Sequence, residues 1–174
     1  MLRLYLTLAG GAAADAAAVF LSLENASAKK AAITALVDRK LTDEGHKRLF
    51  HAISKVVDRR YKERNRLAHW VWGYSQQLPD CLLLADPKSL AMAEAQSPDE
   101  LQKSLSEHIF VYRESDFAQI LAGNEKAAEY AFLFNWIVQG HPANAGGELW
   151  TKLCAEHELS DILNPPGRTH QTPP

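Results

Sequence analysis

The stretch from Glu44 to Trp72 constrains this chain most. Within it Leu49, Ile53, Val56, Val57, Tyr61, Ala68 and Trp72 recur mostly at steps of three and four. That period places them on one face of a helix, so the spacing predicts a long amphipathic helix around which the rest must pack. The last third of the stretch is dense in Lys and Arg.

The flanking sequence reads as more helix. Residues 12–23 are Ala-rich and carry Val19, Phe20 and Leu23. Asn25 interrupts, Ser27 offers a cap for a helix over 28–40, and Thr42 or Asp43 restarts the chain. Beyond Gly73, two short apolar runs, Cys81–Ala85 and His108–Tyr112, suit strands that pair as an antiparallel ribbon. Ser97 and Pro98 predict a short helix between them. Ser115-Asp116 predicts the cap of a helix over 116–139, which Gly140-His141-Pro142 ends, and a last helix covers 145–157. The expected architecture is mainly α: a single helical domain over 1–163, with a motif-bearing core at 12–75. A small two-stranded β insert and the C-terminal helices fill 78–160, and residues 164–174 form a Pro-rich tail.

Composition limits the function classes. The chain has 174 residues, 47% of them hydrophobic and 23% charged, the usage of an ordinary globular domain. No apolar run approaches the roughly 18 residues of a membrane-spanning helix. Met1-Leu2-Arg3 and the apolar residues after it imitate a signal peptide. One basic residue and the interruptions at Thr7, Gly10 and Gly11 argue that the segment belongs to the fold, with room for a native start upstream. Cys81 and Cys154 are the only cysteines and have no metal-site spacing, so a reducing, cytoplasmic setting is expected. His46 and His51 stand five apart, a poor helical spacing for two metal ligands, and no metal or cofactor is expected.

The net charge is −2, which excludes a globally basic nucleic-acid binder. The charge is uneven, however. Between Lys55 and Arg66 six cations (Lys55, Arg59, Arg60, Lys62, Arg64 and Arg66) face only Asp58 and Glu63, a local net of +4. A basic strip on an acidic body is the footprint of phosphate contact. Into this strip falls R-N-x-x-x-H, formed by Arg64, Asn65 and His69. Asn65 and His69 share a helix face, while Arg64 lies about 140° from His69 and reaches the same cleft only through its long stem.

These residue types suit RNA cleavage by the RNA's own 2′-hydroxyl. A histidine can take or give a proton near neutral pH. An arginine fork can hold two oxygens of the crowded phosphate. Asn65 can orient His69 or a phosphate oxygen. One histidine covers one of two proton transfers, so a two-fold dimer with facing motifs would complete the site. Arg59, Arg60, Lys62 and Arg66 are the candidate RNA-binding cations, with Trp70 and Trp72 as candidate stacking residues beside a core or interface role.

The stretch ERNRLAHWVWG resembles the signature of the HEPN superfamily, the higher eukaryotes and prokaryotes nucleotide-binding domains. The likeness extends over about 12–75, including SLENASAKKAAITAL. It implies a helical bundle, usually dimeric, with the motif at the subunit interface. Many such proteins are metal-independent endoribonucleases of toxin–antitoxin or phage-defence systems. Carried over, His69 would be the catalytic base or acid, Arg64 the phosphate stabiliser and Asn65 the positioning residue. RNA, a second copy and an antitoxin would be the partners. Two alternatives stand beside this reading. One is a non-catalytic module of the same type that binds nucleotide, RNA or protein. The other is a helical dimer whose polar motif only stabilises packing.

Overall fold

The computed structural model describes residues 1–93 and 108–165. Among them are eight α-helices and one small antiparallel sheet. In chain order these are α1 (Leu2–Ala9), α2 (Ala13–Ser22), α3 (Ala26–Lys40), α4 (Glu44–His69), β1 (Val71–Gly73), β2 (Leu82–Ala85), α5 (Pro87–Ala93), β3 (Ile109–Tyr112), α6 (Glu114–Val138), α7 (Glu148–Ala155) and α8 (His157–Leu163). A 3-10 turn at Pro142–Asn144 precedes α7. The mainly α architecture agrees with the sequence, and none of the described helices is long and apolar enough to cross a membrane.

The chain forms two compact units. One is built on Met1–Val56 and the chain from Ala127 onward, the other on Val57–Lys126. Among its described residues the first holds helices and no strand. The first half of α4 buries one face there, through Leu49, Phe50, Ala52, Ile53 and Val56. The fully buried Ile33 and Val37 of α3, Phe134 of α6, Leu153 of α7 and Leu159 of α8 complete this core. The rings of Phe50 and Phe134 lie 6.0 Å apart. Polar bonds tie the outer helices on. The Thr7 hydroxyl donates to the Arg3 carbonyl (2.9 Å) and accepts from Gln139 Nε2 (3.1 Å). Arg48 donates to the Leu163 carbonyl (3.0 Å), which satisfies one open acceptor at the end of α8.

Helix ends follow local chemistry. Asp43 Oδ1 accepts the His46 N–H (2.8 Å) at the start of α4. Gly45 lets Trp150 close on this turn: a Cβ there would lie 3.1 Å from the indole. Just past α6, Gly140 turns the chain with a φ of +65° that suits glycine, and the His141 N–H reaches back to the Trp136 carbonyl (3.0 Å).

In the second unit the sheet order is β1-β2-β3, with both pairs antiparallel. The register sets Trp72 opposite Leu84 and Leu84 opposite Phe110. The three therefore share one face, with Leu84 fully buried between the two aromatics.

Several expectations are corrected. The insert has three strands, not two, because the chain leaves α4 at His69 and enters β1 after Trp70 alone. Val71 and Trp72 continue the helical period of α4, yet they pair with β2. Asn25, not Ser27, caps α3, its side chain accepting the Ala28 N–H at 2.7 Å. Helix α6 begins at Glu114, and Asp116 reaches back to the Arg113 N–H (2.7 Å). The helix expected over 145–157 is α7, which stops at Ala155, and extended backbone at Glu156 separates it from α8, a further helix that the sequence reading did not place. Helix α5 was not anticipated, because Pro87 reads as a break but stands at the first helical position. The helix expected at Ser97–Glu100, and the expected Pro-rich tail beyond residue 165, lie outside the described residues.

Two stability measurements test this account. Replacing the fully buried Ile33 by alanine is expected to cost about 2–5 kcal/mol in denaturant unfolding, the range of core cavities. The backbone bond from His46 holds the Asp43 carboxyl below its ordinary value. A lowered carboxyl stabilises the fold fully above the unfolded pKa, about 3.9, and that stabilisation is lost as pH falls through the lower folded value. Asp43→Asn keeps a capping oxygen, so its urea midpoint should fall less steeply than that of the wild type below about pH 4.

Candidate nucleic-acid interface

The motif and its basic surroundings occupy the last turns of α4 and the start of β1, all within Val57–Lys126. Helical geometry sorts them by direction. Measured around the axis from His69, Lys62 lies within about 20°, Asn65 about 40°, Arg66 about 60° and Arg59 about 80°. These five residues make one polar, largely cationic face. Arg64 points elsewhere, about 140° from His69.

Arg64 and His69 are exposed and Asn65 is half-buried. Among the described residues, none of the three side chains makes a hydrogen bond or ion pair. A motif that only stabilised packing would be buried and bonded to its neighbours.

Arg60 departs from the other cations. It turns toward α6, where a Cβ on Gly123 would come within 2.7 Å of its guanidinium carbon. Glycine at that position therefore makes room for the guanidinium. Arg60 Nη1 lies 3.6 Å from Glu63 Oε2. With Tyr112, Asp116 and Gln119 these two residues line a cavity of about 300 Å³. Arg60 is thus directed to this cavity, away from the face that carries Lys62 and Arg66.

The two candidate stacking residues also differ. The Trp72 indole N–H donates to the Leu67 carbonyl (3.1 Å), and its ring stacks on Phe117 with centroids 6.0 Å apart. It fastens β1 to α4 and α6, although 42% of its surface remains exposed. Trp70 instead meets Phe110 of β3 at 5.5 Å. The Arg66 guanidinium lies 5.8 Å from the Trp70 ring and 5.7 Å from Phe110, close enough for cation–π attraction to both. Phe110 was not foreseen as a site residue. Its run reads as a strand, but no spacing signals that pairing would carry it to the end of α4.

The remaining candidates have ordinary roles. Among the described residues no three His, Cys, Asp or Glu side chains gather into a metal-holding cluster. His46 meets Trp150 edge-on at 5.1 Å, and His51 Nε2 lies 3.4 Å from Asp38. His141 stacks on Trp136 and accepts the Ala143 N–H. Cys81 is buried, and burial pushes the Cys154 thiol up, which makes it a poor source of thiolate.

The chain matches no protein-family model, no curated protein and no solved structure.

The bonds of Trp72 define its expected behaviour. Trp72→Phe removes one donor and keeps an aromatic ring. Thermal or urea unfolding should show a loss of about 1 kcal/mol, the worth of a typical hydrogen bond. Unchanged stability would mean that the indole contact to Leu67 contributes nothing.

Proposed function

We propose that this protein is a metal-independent endoribonuclease of the HEPN type, acting in the cytoplasm as a homodimer in a toxin–antitoxin or phage-defence system. The observation that carries the reading is the exposed end of α4. Arg64, Asn65 and His69 stand there with uncommitted side chains beside Lys62 and Arg66.

The chemistry is internal phosphoryl transfer. The RNA 2′-oxygen forms a bond to phosphorus, the bond from phosphorus to the 5′-oxygen breaks, and a cyclic phosphate and a 5′-hydroxyl result. His69 moves one of the two protons, taking it from the 2′-hydroxyl or giving it to the leaving oxygen. Asn65, one helical turn before it, positions the imidazole or a phosphate oxygen. Arg64 neutralises the charge that builds on the phosphate. Because Arg64 and His69 diverge around one helix, the phosphate held by His69 of one copy meets Arg64 of the other. The same pairing brings the second histidine that the other proton transfer requires.

The divergence of Arg64 and His69 also favours a second reading, a non-catalytic module that binds RNA along the cationic face. Labelled single-stranded RNA incubated with protein and EDTA separates the two. Wild type is expected to cleave, and His69→Ala to be slower by about 10²–10⁴-fold, the usual worth of general acid–base catalysis. Equal cleavage by both would remove His69 from the mechanism. Binding without cleavage by wild type would leave the module.

A further inference from the structure

The cationic face of α4 ends against an aromatic surface that the catalytic reading does not use. Phe110 lies on β3, an outer strand of the sheet, and keeps 40% of its surface exposed. Leu84 is buried on its inner side and Trp70 supports it at 5.5 Å. The Arg66 guanidinium lies 5.7 Å from its ring. Arg66 is itself about 60° from His69 and one helical turn before Trp70. A partly exposed ring on a strand, propped by a second ring and with a cation over it, gives a nucleobase a surface to stack on at little ordering cost.

Charge selects the occupant. A protein partner's apolar patch would have to settle beside Lys62 and Arg66, and would offer them no counter-charge. A nucleic-acid strand supplies a phosphate for the cations and a base for the ring at each step. Trp72 is set apart by its N–H, which is committed to the Leu67 carbonyl and fastens β1 to α4.

We propose that Phe110, supported by Trp70 and Arg66, is a base-stacking platform for single-stranded RNA. It holds the nucleotide next to the phosphate at His69 and makes binding depend on bases as well as charge. Lys62 tracks the backbone on the same helix face. The inference rests on the RNA reading above but is tested by binding alone.

The probe is a short fluorescein-labelled 2′-O-methyl RNA of mixed sequence, which cannot undergo attack by its own 2′-oxygen. A matched strand without bases serves as the comparison, and anisotropy measures both. Wild type should bind the base-bearing strand more tightly than the abasic one by roughly five- to one-hundred-fold, the worth of one stacked base. Phe110→Ala should bring both strands to the abasic level. Phe110→Trp should restore the preference and so exclude a folding defect. Lys62→Ala should weaken both strands alike and flatten the salt dependence. The proposal is overturned if wild type shows no preference for bases, or if Phe110→Ala binds as wild type does. It is equally overturned if Phe110→Ala changes the sedimenting mass and leaves RNA affinity intact, since the patch would then join copies of the chain. Base-dependent binding by a wild type that cuts no RNA supports the platform and removes only the nuclease.

Discussion

Everything in this protein depends on the burial of the first half of α4. From Leu49 to Val56 six of the eight residues of that helix are buried, with His51 and Lys55 left outside, and α3, α6, α7 and α8 contribute further fully buried residues to the same core. Apolar burial is the dominant favourable term in folding, and the apolar face of an amphipathic helix must be covered. The second half of the same helix belongs to the other compact unit and is charged. One continuous run of backbone hydrogen bonds therefore carries a core and a candidate site.

The fate of each cation follows from its angle on that helix. Lys62 and Arg66 share the side of His69, while Arg60 turns to Gly123 and Glu63. A count of charges cannot make this distinction, since all six cations add to the same local net. Only direction separates those available to a phosphate from one placed against a neighbouring helix.

Much of the fold was legible in the sequence. Helices α2, α3, α4 and α6 and strands β2 and β3 follow from period, caps and β-branched runs. The errors have physical causes. Val71 and Trp72 keep the helical period but gain more from a ladder with Ala85 and Leu84, so tertiary pairing outweighed local pattern. Asn25 and Ser27 are both good caps, and their identities alone could not rank them. The motif at Arg64, Asn65 and His69 was legible because its residues lie within one helix. Phe110 was not, since it joins Arg66 and Trp70 only through strand pairing over a long sequence distance. The split of Arg60 from Arg66 was likewise hidden, because it depends on a glycine in α6.

The junction between α4 and β1 has an evolutionary consequence. Trp70 is its only residue, with the helix ending at His69 and the strand starting at Val71. Side chains alternate along a strand, so one inserted residue would exchange the faces of Val71 and Trp72 and strand the indole away from Leu67 and Phe117. Deleting Trp70 would do the same and remove the prop behind Phe110. This passage can drift in residue identity but hardly in length. Insertions and deletions should instead collect in the turn between β1 and β2, where residues 74–80 are mostly exposed and carry neither the helix nor the ladder.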